Sequence, residues 1–216
     1  MIDEHVDIPT ADGQMNTFVT YPEEGGPHSV VLFYMDAPGK REDLHEMARR
    51  LGTAGYFVVL PNLYYRSLRE FDATVDFTTR GEQMRELMFS VGYGMIARDT
   101  QAMLDYVDAH PAAEASRIRA VGYCMSGPFT YAVAGQFPDR IRAAASVNGV
   151  RLHGKGSPQD LTEHVKGELS FACEAHLQAV YQAPRDGEDW PFVSDFTADM
   201  AALMEQRERE RAEREA

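Results

Sequence analysis

Cysteine is scarce in this chain: Cys124 and Cys173 are the two present among 216 residues. They stand far apart and without metal-binding spacing, which speaks against a disulfide scaffold and against a cysteine zinc site. Basic residues are also in deficit, with 21 Lys and Arg against 34 Asp and Glu and a formal charge of −13. Nucleic acid and anionic membranes select basic surfaces, so neither is an expected partner. No apolar run approaches the roughly 18 residues that a membrane helix needs. The opening Met1-Ile2-Asp3-Glu4-His5 has neither the basic region nor the apolar stretch of an export signal. Two free thiols in the reducing cytoplasm are therefore the expected state. What remains is ordinary for a globular chain, 44% hydrophobic and 25% charged, and predicts one domain over residues 1–216. Residues 205–216 are Glu and Arg with little else. The i,i+4 pairs Glu205–Arg209 and Glu210–Arg214 predict a charged, solvated helical tail there.

Two short extended runs flank the turn signal Ala11-Asp12-Gly13 and predict an N-terminal hairpin. Residues 29–35 form a continuous apolar run suited to a strand buried on both faces. A helix is predicted over 41–54, with Leu44, Met47, Ala48 and Leu51 on one face and Gly55 as its stop. A second buried strand, 56–60, runs into Pro61-Asn62-Leu63-Tyr64-Tyr65-Arg66. Met84, Leu87, Met88 and Val91 have helical spacing, but Gly92 and Gly94 interrupt it, and a helix over 95–110 follows. Strands are predicted at 118–121, 141–147 and 168–173. This alternation predicts a mostly parallel central sheet with helices on both faces, and a site beyond the carboxyl ends of its strands. The loops at Asp36, Asn62 and Cys124 stand at such ends. His5, His28, His45 and His110 read as surface residues.

The stretch that organises the chain is Ile118-Arg119-Ala120-Val121-Gly122-Tyr123-Cys124-Met125-Ser126-Gly127. An apolar strand meets a sharp turn with small residues two positions either side of Cys124, and an apolar stretch of helical length follows. That is the pattern of a nucleophile elbow, with cysteine as the nucleophile. A strained turn needs small neighbours so that strand and helix can approach each other. It also exposes the sulfur beside the helix's free N–H groups, which favour a thiolate and can hold an oxyanion.

Together with Phe33-Tyr34-Met35-Asp36-Ala37-Pro38-Gly39 and Leu60-Pro61-Asn62-Leu63-Tyr64-Tyr65-Arg66, the elbow resembles the dienelactone hydrolase family over roughly residues 1–173. The resemblance implies an α/β-hydrolase fold, no metal and no other cofactor, and a Cys-Asp-His triad that hydrolyses esters or lactones through an acyl-enzyme. It implies that an acidic residue contacts the resting cysteine, a place that Asp36 takes here. The backbone N–H groups of Met125 and Ala37 are the expected oxyanion donors. Asp36, Arg66 and Tyr123 are the candidate substrate-binding residues. The expected partner is a small ester or lactone, and the protein is expected to be a monomer or a homodimer.

The family's acid and histidine are not evident at their places after Cys173, and no histidine follows His176. His176 is the candidate base and Asp189 the candidate orienting acid, with His153, His164 and Asp195 behind them. The departure reads either as divergence of the C-terminal part or as a shortened or shifted reading of a longer chain. Two other functions stay open beside the hydrolase: a catalytically impaired family member, and a thiol redox sensor oxidised reversibly at Cys124.

Overall fold

The N-terminal hairpin forms where the turn signal puts it: β1 (Ile2–Thr10) and β2 (Gly13–Tyr21) pair antiparallel, Ile8 opposite Met15. The computed structural model describes residues 1–69 and 77–149, with the two short strands β7 (Glu168–Phe171) and β8 (Ala179–Gln182); for residues 77–80 and these strands it describes the backbone alone. Between hairpin and elbow lie β3 (His28–Tyr34), α1 (Glu42–Thr53), β4 (Phe57–Pro61), α2 (Phe77–Ser90) and α3 (Tyr93–Ala109). Then come β5 (Ala113–Tyr123), α4 (Gly127–Gln136) and β6 (Ile141–Val147). Gly92 and Gly94, which interrupt the helical spacing in the sequence, mark the boundary between α2 and α3. Gly92 is extended and caps α3.

The eight strands form one sheet in the order β1-β2-β4-β3-β5-β6-β8-β7. β3 pairs parallel with β4 and with β5, and β5 with β6. The parallel arrangement thus holds for the centre, while the hairpin on one side and β8 on the other join it antiparallel. β7 and β8 are themselves an antiparallel pair. The sequence reading gave one final strand, over 168–173; the sheet ends instead in this pair, and β8 was not foreseen. The middle strands are apolar on both faces. Val30, Leu32, Phe33 and Tyr34 of β3 and Phe57 to Leu60 of β4 are buried, each large side chain contributing about 2 kcal/mol on leaving water.

Helices cover both faces, as strand alternation demonstrates. Phe18 of β2 stacks on His45 of α1 at 4.2 Å. Tyr21, three positions on and so on the other face, stacks on Phe57 and meets His110 beyond the end of α3. α4 joins α3 on that second face through Tyr93 and Phe129. No described helix is long and apolar enough to cross a membrane. The charged tail foreseen at 205–216 lies outside the described residues.

Two of the four histidines read as surface residues are buried, His28 at 7% and His45 at 8% exposure. The correction has a tertiary cause, because hairpin and helix close on His45 from sequence-distant positions. His45 Nδ1 meets Glu42 at 3.1 Å, and its Nε2 is buried without a partner. Burial lowers the pKa of His45, and the Glu42 hydrogen bond opposes this only in part. A lowered folded value means that the neutral ring favours the fold. Its contribution is complete above the ordinary value of about 6.5 and is lost as pH falls from there through the lowered value. Urea unfolding should therefore show a lower midpoint near pH 5 than near pH 7.5, and His45→Phe should narrow the gap. An equal gap in both proteins would place the acid-sensitive group elsewhere.

A buried ion pair ties the loop after β4 to α3. Asp99, with no exposure, accepts Arg66 Nη1 at 2.8 Å and Nη2 at 2.7 Å, and Tyr65 Oη donates to it at 2.9 Å. Arg66 also holds Asp12 of the hairpin turn at 2.7 Å. Removing one partner of such a pair strands the other in low dielectric, so Asp99→Ala should cost about 3 kcal/mol in urea unfolding. A loss under about 1 kcal/mol would mean that Asp12 alone satisfies Arg66.

Candidate active site

At the end of β5 the backbone stays extended through Tyr123 and then turns left-handed at Cys124, with φ 50°. A side-chain-bearing residue in that region costs about 1–3 kcal/mol and persists only where its surroundings over-determine it. Those surroundings are specific. A Cβ on Gly122 would overlap the Thr130 hydroxyl and the Ser126 carbonyl, and one on Gly127 would overlap the Ser146 hydroxyl and lie 2.6 Å from Gly149 Cα. Strand β5, helix α4 and the end of β6 therefore meet at closer range than any side chain allows. Thr130 Oγ1 donates to the Ser126 carbonyl at 2.8 Å, and the Ser126 hydroxyl donates to the carbonyl of Met35 beyond β3. Pro128 sits in the first turn of α4, where its missing N–H costs nothing. The elbow is a short 3-10 turn over Cys124–Ser126 leading into α4, with a half-buried free thiol at its apex.

The loop after β3 lies against this turn. Tyr64, from the loop after β4, is 2% exposed. Its hydroxyl donates to the Ala37 carbonyl at 2.9 Å and approaches Met125 Sδ at 3.2 Å. Burial pushes the Tyr64 phenol well above its ordinary pKa, and the nearby ionisable groups of Asp36 and Cys124 push the same way. Asn62 shapes that loop: its Oδ1 accepts from the Tyr64 N–H at 3.0 Å and its amide donates to Asn16 Oδ1 at 2.9 Å. Met125 and Ala37, the expected oxyanion donors, are thus brought together around one buried tyrosine. Tyr123 stacks on Phe33 at 5.0 Å, and burial raises its pKa.

The other foreseen residues meet partners within the protein. Asp36 accepts a two-pronged ion pair from Arg41, at 2.6 and 3.0 Å. Arg66 is brought to Asp12 and Asp99. His176, Asp189, His153, His164 and Asp195 lie outside the described residues, and among the described ones no histidine hydrogen-bonds Cys124. Also among the described residues, no group of three His, Cys, Asp or Glu could hold a metal ion. Arg41 was missed in the sequence, where it read as one more helix residue. Tyr64 stands out in the sequence only as one residue of the motif over 60–66. Nothing local distinguishes either one, since their partners are remote in sequence or sit across a loop.

The sequence model of the dienelactone hydrolase family matches residues 15–175. A carboxymethylenebutenolidase homologue from Methylorubrum extorquens is 28% identical over 158 residues, covering 73% of this chain and 52% of that protein. One from Yersinia pestis is 24% identical over 143 residues, covering 66% and 51%. The chain thus spans about half the length of the curated relatives it matches. The crystal structure of a dienelactone hydrolase homologue from Klebsiella pneumoniae superposes with a TM-score of 0.65 at 24% identity, over 76% of this chain and 67% of that one. A dienelactone hydrolase-like promiscuous phosphotriesterase from metagenomic libraries gives 0.52 at 23% identity, over 68% and 59%. At these identities the structural likeness shows the fold, which is that of the α/β-hydrolases.

Because a methyl group at position 122 has no room, Gly122→Ala should lower stability by about 3 kcal/mol in urea unfolding. Thr130→Ala in the same chain, which removes the overlapping hydroxyl, should not recover the loss, because the Ser126 carbonyl still blocks the site. A neutral Gly122→Ala would mean that the elbow yields more readily than its packing indicates.

Proposed function

The chain belongs to the dienelactone hydrolase family, and from that membership we propose that it hydrolyses small esters or lactones with Cys124 as nucleophile. One observation carries the proposal: Cys124 holds a left-handed backbone at the strand-to-helix turn, where a nucleophile is presented at the head of a helix. The thiolate attacks the carbonyl carbon, forming a C–S bond, and the carbonyl electron pair moves to oxygen. The Met125 N–H, in a first turn that offers it no helical acceptor, and the Ala37 N–H stabilise that oxyanion. Its collapse expels the alcohol, or opens the lactone, with a proton from the base. Water then attacks the thioester, releasing the acid and restoring the thiol.

The base we assign is His176, with Asp189 to orient it. Sheet register supports His176. Ser146 of β6 lies between Gly122 of β5 and Ala179 of β8, and Ala179 pairs with Phe171 of β7. The chain thus leaves β7 and enters β8 at the end of the sheet where Cys124 follows Gly122, and His176 falls in sequence between those two strand ends. Neighbouring strands are about 4.8 Å apart, so β8 begins roughly 10 Å from β5.

A second reading rests on the same thiol: without a working base, Cys124 is acylated once and the thioester persists, as in an impaired family member. Hydrolysis of p-nitrophenyl acetate, followed through burst and steady state with Cys124→Ala in parallel, separates the two. Sustained turnover that falls at least a hundredfold in Cys124→Ala is expected. A burst of one equivalent with no steady state would establish the impaired member. Turnover unchanged in Cys124→Ala would sink the cysteine mechanism itself.

A further inference from the structure

The two N–H groups assigned to the oxyanion sit on different loops, one following β3 and one at the elbow. For both to reach one oxygen, their separation and aim must be fixed, since donors help only when preorganised at the position the charge will occupy. Beside the direct Ser126–Met35 hydrogen bond between the two loops, Tyr64 is a side chain from a third loop that touches both. Its hydroxyl proton goes to the Ala37 carbonyl at 2.9 Å, the stronger acceptor, while the polarisable sulfur of Met125 packs on the same oxygen at 3.2 Å. A residue has two soft backbone dihedrals, so anchoring the Ala37 carbonyl limits where the Ala37 N–H can point. The contact at Met125 Sδ likewise ties the Met125 side chain, and with it the elbow, to Tyr64. Tyr64 is itself held, buried to 2% exposure, with its backbone N–H bonded to Asn62.

We propose that Tyr64 is a positioning residue that sets the spacing and aim of the two oxyanion donors, Met125 N–H and Ala37 N–H. This rests on the acyl-transfer reading of Cys124. Tyr64 acts as a hydrogen-bond donor and not as a base, because its hydroxyl is committed to a carbonyl in a buried setting.

The test is Tyr64→Phe in the full chain, which keeps the ring and removes the hydroxyl. Two reactions of Cys124 are compared: the acylation burst with p-nitrophenyl acetate, which passes through an oxyanion, and alkylation by iodoacetamide, which does not, read by peptide mass at Cys124. Acylation should slow roughly tenfold to a hundredfold, with alkylation within about twofold of the parent. A packing role alone would leave the ratio of the two rates unchanged. An unchanged acylation rate, or equal losses in both reactions, would overturn the proposal. Backbone amide resonances of the free protein give a second readout that needs no chemistry: Ala37 and Met125 should both shift in Tyr64→Phe, and a shift in one alone or in neither overturns the proposal. A parent protein that shows no burst would condemn the acyl-transfer reading, and the amide shifts would still decide whether Tyr64 couples the two loops.

Discussion

Cys124 keeps a backbone angle that costs about 1–3 kcal/mol, and it does so because strand, helix and loop close on it from three sides. Gly122 lets Thr130 and the Ser126 carbonyl approach from below, and Gly127 lets Ser146 and Gly149 approach from the flank. Ser126 ties the turn across to Met35. Relaxing the angle would push α4 away from β5 and β6, exposing Phe129, Tyr131, Ala132, Val133 and Ala134, which are now buried. At about 2 kcal/mol for each large side chain, that loss exceeds the strain. The turn is therefore stable for a non-local reason, and the sulfur at its apex is presented by the packing of a whole helix.

The charges around this turn follow from the same geometry. The Tyr64 phenol lies near the ionisable groups of both Asp36 and Cys124, which push its pKa the same way as burial does. Arg41 offsets the Asp36 charge with a fork that covers both of its oxygens. Arg41 can do this because it is the extended residue immediately before α1, where the chain has just come round from Asp36. The Arg66–Asp99 pair fixes the loop after β4, which carries Tyr64, to α3. One ion pair thus lies next in sequence to Ala37, the partner of Tyr64, and the other lies two residues beyond Tyr64 itself.

Much of this was legible in the sequence, and what was not has physical reasons. The elbow could be read because its steric demand falls on residues within four positions of Cys124. The buried strands could be read because both faces are apolar. Gly92 and Gly94 were correctly seen as an interruption, but a break between two helices and a break in one look alike without the tertiary contacts. His45 has the neighbours of a surface helix residue, and the hairpin strands carrying His5 and Phe18 close over it. Arg66 read as a candidate substrate-binding residue. Its true partner, Asp99, lies on α3, and no local pattern links the two. β8 escaped notice because four residues that join a sheet antiparallel leave almost no periodic signal.

The division of the chemistry along the chain bears on how the two readings of Cys124 relate. The proposed nucleophile, the elbow and both proposed N–H donors lie before residue 149, in a unit built of β3, β4, β5, α4 and β6. None of them needs the base in order to be held in place. Attack on a carbonyl and stabilisation of its oxyanion draw on that unit alone once the thiolate has formed. Release of the acyl group needs a proton acceptor for water, and the candidate histidines, His153, His164 and His176, come after residue 149 in the sequence. In the proposed reaction, acylation and deacylation thus draw on separate stretches of sequence. A complete hydrolase and a once-acylated relative are accordingly two outcomes of a single scaffold, told apart by what the second stretch supplies to a thiol that the first has already prepared.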